Sequence, residues 1–173
     1  MNLIEVDQVG FVSETCISCT DWNSVFPGSV TDSDDPVIGI TWFDAVLWCN
    51  LKSTELGLEP PFEIDNEPVT EIPQIFVYKN KKILNRFRIK NSATGFRLLD
   101  LKEWEDGQTS GLLTYSQATG GYLTTAHPML EWTSEQNTKN QQYEAQVINS
   151  DMTVWCNCLF ELPDVGFRVM RRS

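Results

Sequence analysis

A chain of 173 residues with 41% hydrophobic and 11% aromatic content is long enough for one well-buried core and too short for two comfortable domains, so residues 1–173 read as a single domain. A formal net charge of −11 and a pI near 4.4 argue against a nucleic-acid backbone or an anionic membrane as partner and leave a protein or peptide ligand, a basic one being permitted. No run reaches the roughly 20 apolar residues of a membrane span, Met1–Glu5 lacks the pattern of a secretory signal, and the odd cysteine count of 5 fits a reducing compartment, so a cytoplasmic location is expected.

Leu3–Val6 and Gly10–Val12 read as short strands, and Ser18 with Asp21 forms a capping pair ahead of a helix carrying Trp22, Val25 and Phe26, which Pro27 and Gly28 end. The acidic stretch Asp32, Asp34, Asp35 has carboxylates that suit calcium but no glycine turn or distal glutamate, and a solvated loop is preferred. Thr41 and Asp44 form a second capping box, and the helix they open is apolar on most faces until Gly57 stops it. Cys49 within it reads as a small core residue.

From Glu59 to Asn91 prolines punctuate two strand-like runs, Gln74–Tyr78 and Ile83–Ile89, with Lys79, Lys81 and Lys82 as a solvated hairpin tip. Gly95–Glu105 compresses a turn, a strand and a helix start. Asp100 caps the first helical turn, Glu103 reaches back to the cap, and Trp104 anchors the helix in a core. Residues 107–121, rich in Gly, Ser and Thr, read as a loop. Met129–Glu135 and the closing strand Val165–Arg171 complete the pattern.

In register, Gly95, Phe96, Arg97, Leu98, Glu103, Trp104 and Glu105 are similar to the signature of the formylglycine-generating (sulfatase-modifying factor) family, with Leu99 in place of the usual proline. Pro36–Ala45, Glu131 with Trp132, and Gly166–Val169 resemble three further landmarks of that family in the same order. The resemblance implies an α+β fold: a compact C-type-lectin-like domain with short helices, twisted antiparallel strands and long loops. It also brings in the family's non-catalytic members, including variable ligand-binding proteins of phages and bacteria.

The family's enzymes oxidise a cysteine to formylglycine with two copper-binding cysteines, for which Cys156 and Cys158 are the candidates here. The flanking stretch Val147–Asp151 lacks the enzymes' glycines and leading arginine, and no basic residue lies between Asp151 and Pro163. Grouping Cys16 and Cys19 with Cys156 and Cys158 gives a zinc alternative, and independent core or surface cysteines are preferred. The lone histidine, His127, removes a three-histidine iron site and reads as a structural loop residue. A calcium alternative places Glu131 as a ligand, against a packed turn in which Glu131 bonds to backbone.

The scaffold motifs are intact and the oxidase features eroded, which favours a non-catalytic binding or protein-interaction module without a cofactor. Its recognition surface is expected in loops between Trp132 and Pro163, with Tyr143, Asn149, Asp151, Trp155, Asn157 and Phe160 as binding residues. The alternatives are the copper-dependent oxidase and a structural subunit packed within a larger complex.

Overall fold

The computed structural model describes residues 1–7, 9–71, 86–110, 130–137, 144–149, 152–158 and 161–172. Its strands are β1 (Leu3–Val6), β2 (Gly10–Ser13), β3 (Phe62–Ile64), β4 (Glu67–Pro68), β5 (Phe87–Ile89), β6 (Arg97–Leu98), β7 (Leu130–Asn137), β8 (Glu144–Ile148), β9 (Thr153–Asn157), β10 (Val165–Phe167) and β11 (Val169–Arg171). Its helices are α1 (Cys19–Asn23), α2 (Trp42–Glu55) and α3 (Leu101–Ser110). The class is α+β. Among the described residues the strands form sheets of order β1-β2-β11-β6, β10-β7-β8-β9 and β4-β3-β5.

The helix starts form as their sequences dictate. The Thr41 hydroxyl accepts from the Asp44 amide at 3.1 Å while the Asp44 carboxylate accepts from the Thr41 amide at 2.8 Å, and Asp100 and Glu103 make the same exchange at 2.8 and 3.0 Å. Each exchange satisfies amides that have no partner inside the helix. At the far end of α2, Gly57 takes φ +69° and the Leu58 amide donates to the Ser53 carbonyl at 2.8 Å, a left-handed stop that only glycine adopts at no steric cost. Gly95 is required for a different reason. A Cβ there would lie 2.4 Å from the Glu59 carbonyl oxygen and 2.5 Å from Ser53 Oγ, the hydroxyl that accepts from the Phe96 amide.

α2 is the centre of the main core. Trp42, Ala45, Val46, Trp48 and Cys49 along it are buried, joined by Phe62, Phe96, Trp132 and Phe167. Trp42 Nε1 donates to the Thr133 carbonyl at 2.8 Å and Trp132 Nε1 donates to the Ile40 carbonyl at 3.3 Å, so the start of α2 and strand β7 are crossed by reciprocal indole bonds. Asn50 uses its amide as a buried clamp, donating to the Phe62 and Val69 carbonyls and accepting from the Phe62 amide. That role was not legible in the sequence, where Asn50 reads as one more polar helix residue. A second apolar cluster gathers Val6, Val12, Leu99, Trp104, Ile148 and Met170.

Several expectations are corrected. α1 ends at Asn23, and Phe26 follows only as a turn whose amide donates to the Trp22 carbonyl, held by ring contact between Trp22 and Phe26 at 4.7 Å. α3 runs through Gly107 to Ser110 where a loop was expected, with Gly107 on the buried face one turn on from Glu103 and Trp104. The stretch from Trp132 to Pro163 carries three strands, β7 to β9, in place of the expected loops. Ala145 and Val147 alternate there with polar residues, giving a strand period that the surrounding Asn and Gln residues obscure. The closing strand is two strands. β10 pairs parallel with β7, whereas β11 pairs antiparallel with β2 and β6, so the chain changes sheets at Arg168. Gln74–Tyr78, the lysine tip, most of 107–121 and His127 lie outside the described residues.

Arg97 and Glu103 form a buried bidentate pair, with Arg97 Nη1 donating to Glu103 Oε2 at 2.6 Å and Arg97 Nη2 donating to Oε1. Burial opposes ionisation of Glu103, but the hydrogen bonds and charge of Arg97 outweigh it and hold the carboxyl below its ordinary range. A carboxyl depressed in the folded state contributes stability that is full above its unfolded value, near pH 4.3 for a free Glu at about the usual reference, and is lost as pH falls through the lower folded value. The stability gap between the wild-type chain and Glu103→Gln, measured by urea unfolding from neutral to acid pH, is expected to narrow below about pH 4. A gap that stays constant through that range would contradict the depressed carboxyl.

Candidate functional site

The sheet β10-β7-β8-β9 has β9 at one edge among the described residues. Antiparallel pairing sets Thr153 opposite Ile148, Trp155 opposite Gln146, and Asn157 opposite Glu144 on one face. Val154 and Cys156 turn to the other face and pack against the main core beside Val147 and Ala145. Trp155 is 42% exposed and Met152, just before the strand, is 47% exposed. These are large apolar side chains left in water while the rest of the tryptophans are buried. Gln146, paired across from Trp155, is 7% exposed, and its Oε1 is buried without a hydrogen-bond partner.

The turn into β9 is built by Asn149. Its side-chain oxygen accepts from the Met152 amide at 2.9 Å and its backbone amide donates to the Met152 carbonyl at 3.0 Å. At 4% exposure Asn149 shapes the turn and presents no surface, which corrects its expected role as a binding residue. Trp155 holds the exposed position expected of it. Asn157 is half-buried at the end of β9, while Tyr143, Asp151 and Phe160 lie outside the described residues. Gln146 and Met152 were missed. The period-2 alternation of 144–148 facing 153–157 is the signal that places them.

Glu131 has a different task from the one its neighbours in sequence implied. It lies in β7, fully buried, and Oε2 accepts from Arg168 Nε at 3.2 Å and from Trp104 Nε1 at 3.4 Å. Arg168, 1% exposed, also donates through Nη1 to the carbonyls of Ser13 and Glu14 at 2.7 and 2.6 Å. The carboxylate is thus committed to a buried ion pair that ties β7, the end of β2 and the β10–β11 junction together. A buried ion pair on a strand thus stands where the calcium-ligand alternative placed a metal.

No family model matches the chain. The chaperone protein LppX of Paenibacillus barcinonensis is 33% identical over 94 residues, 52% of this chain and 32% of that protein. The chain therefore spans about a third of the length of this curated relative. Among solved structures it is similar to CarF, at 16% identity and a TM-score of 0.71 over 94% of this chain and 86% of that one. It is also similar to Treponema denticola variable protein 1, at 17% identity and a TM-score of 0.63 over 94% and 84%. These structural likenesses establish a shared fold and carry no shared activity.

The thiols bear on the copper and zinc alternatives. All five cysteines are free thiols. Burial pushes Cys158 up to about 12, and burial, followed by the charge of Glu144, raises Cys156. A soft metal binds the thiolate, and a thiol driven upward by a dry environment and a nearby carboxylate is the opposite of an activated ligand. Cys19 Sγ points to the Pro36 carbonyl at 3.9 Å. Among the described residues no group of three or more His, Cys, Asp or Glu is placed to hold a metal ion. Likewise, no described helix is long and apolar enough to cross a membrane.

Proposed function

We propose that this chain is a non-catalytic binding module on a C-type-lectin-like scaffold of the formylglycine-generating type, recognising a protein or peptide through the β8–β9 end of its second sheet. The observation that carries this reading is Trp155, a large aromatic held 42% exposed on β9, an edge strand among the described residues. Exposed aromatics on rigid elements contribute large contact areas at little entropic cost. Support comes also from the state of Cys156 and Cys158, whose raised thiols are poor starting material for an oxidase, and from a relative named as a chaperone, of which the chain covers 32%.

The test is Trp155→Ala with stability and affinity measured separately, using as ligand the partner captured by the immobilised wild-type chain. The part of the indole that is covered contributes to stability, so some loss of unfolding free energy is expected, while the affinity of the folded variant should weaken by about 2 kcal/mol or more. A destabilised variant with unaltered affinity would move the site elsewhere.

A further inference from the structure

Among the described residues no strand and no charged side chain of β9 itself guards its outer edge. Natural sheet edges are blunted by lysines, prolines, bulges or inward charges, because alternate residues of an edge strand turn their N–H and C=O groups toward open solvent and invite another strand. The sequence Thr153-Val154-Trp155-Cys156-Asn157 contains no charge and no proline, and its pairing with β8 runs without a register shift across all five residues. Among the described residues no strand lies on its other side.

The face beside that edge has its own chemistry. Trp155 presents an indole, Gln146 directly across from it holds a buried carbonyl oxygen that accepts no hydrogen bond, and Glu144 lies two residues along β8 on the same face. Side chains directly opposite in an antiparallel pair have their Cβ atoms about 5 Å apart, so a residue of a strand added beyond β9 can set its side chain against the Trp155 indole. An ammonium or guanidinium is attracted to the face of an indole and donates several hydrogen bonds. The net charge of −11 attracts a basic chain and opposes a second copy of this one.

Resting on the binding-module reading and specifying its partner, we propose that β9 accepts an extended basic peptide segment as an added strand, with a Lys or Arg side chain seated over the Trp155 indole. Main-chain hydrogen bonds supply the pairing, and the cationic side chain supplies the selectivity.

The experiment titrates the intact chain with a synthetic peptide of alternating Thr and Lys, with its Thr–Glu counterpart, and with a Thr–Lys peptide N-methylated at alternate residues to block one strand edge. The Thr–Lys peptide should bind about tenfold or more tighter than either control, and hydrogen exchange should show new protection of alternate β9 amides. Trp155→Ala should lose about tenfold in affinity for it, with its unfolding curve recorded beside that of the wild-type chain. Equal binding of the N-methylated peptide, or protection absent from β9, overturns strand addition; equal binding of the Thr–Glu peptide overturns the cationic preference. If the peptides fail while Trp155→Ala still weakens capture of the native partner, the binding-module reading survives and this inference falls. If neither responds to Trp155→Ala, both fall. Self-association that shields β9 would replace the basic peptide by a second copy.

Discussion

Arg168→Met is expected to destabilise the fold by about 3–5 kcal/mol, because it leaves a carboxylate buried without its compensating charge. Glu131 is fully buried and takes a bond from Arg168 Nε at 3.2 Å, and the same guanidinium satisfies the Ser13 and Glu14 carbonyls. Two sheets are therefore linked through one side chain, β7 in one and the end of β2 in the other, at the point where the chain leaves β10 for β11. The double variant Arg168→Met with Glu131→Leu removes both charges, and apolar replacement of a whole buried pair is often neutral or stabilising. It should recover a large part of the loss, with the two strand-end carbonyls of β2 still costing something. Urea unfolding of the two single variants and the double variant measures the coupling. Single variants that cost less than about 1 kcal/mol, or a double variant that costs their sum, would mean that the pair is solvated and that the sheets are held together elsewhere.

Local chemistry was the legible part of this fold. Thr41 with Asp44 and Asp100 with Glu103 are short-range arrangements whose partners lie three residues apart, so the sequence contains everything needed to read them. The resemblance placed Trp104, Trp132 and Phe167 in order, and all three are buried. What could not be read is whatever depends on partners distant in sequence. Val165–Arg171 is one apolar run interrupted by Arg168, and nothing within it announces that its halves join different sheets. Arg168 looked like a family landmark, and its bonds to Ser13 and Glu14 span more than 150 positions of chain. Asn50 is illegible for the same reason, since the β3 backbone it clamps is separate from its helix. Leu99, where the resemblance has proline, is 1% exposed and its carbonyl accepts from the Ser134 amide at 2.8 Å; a core contact and a strand bond hold the turn there.

The binding surface was half legible. Trp155 stood out as a large aromatic among amides, but the region around it was expected to be loop, and a loop would have given its neighbours equal weight. Once 144–148 and 153–157 are strands, alternate residues separate into two faces, and Asn149 becomes the turn between them. Expecting loops there overvalued polar side chains and overlooked Gln146. The calcium role of Glu131 failed similarly: a carboxylate beside a tryptophan reads equally well as a ligand or as half of a buried pair until its partner is placed.

Trp42→Ala carries the other large expected effect, about 3–5 kcal/mol, as for removal of a fully buried large aromatic. Trp42 is 0% exposed, and its ring lies 5.1 Å from Phe43, 6.4 Å from Phe62 and 5.3 Å from Phe87, so truncation opens a cavity inside an aromatic cluster that joins α2 to β3 and β5. The indole also donates to the Thr133 carbonyl at 2.8 Å, where β7 shifts register against β8. Trp42→Phe separates the two contributions. It keeps most of the packing and loses the bond, leaving one buried carbonyl with less than its full complement, so its cost should be about 1–2 kcal/mol for the bond plus a small residual cavity term. Hydrogen exchange gives the spatial readout: in Trp42→Phe the amides near Thr133 should lose protection before those of α2, because the bond anchors the irregular part of β7 and the capping box still holds the helix start. A Phe variant as damaging as Ala would make the hydrogen bond, and not the aromatic cluster, the larger contribution at this position.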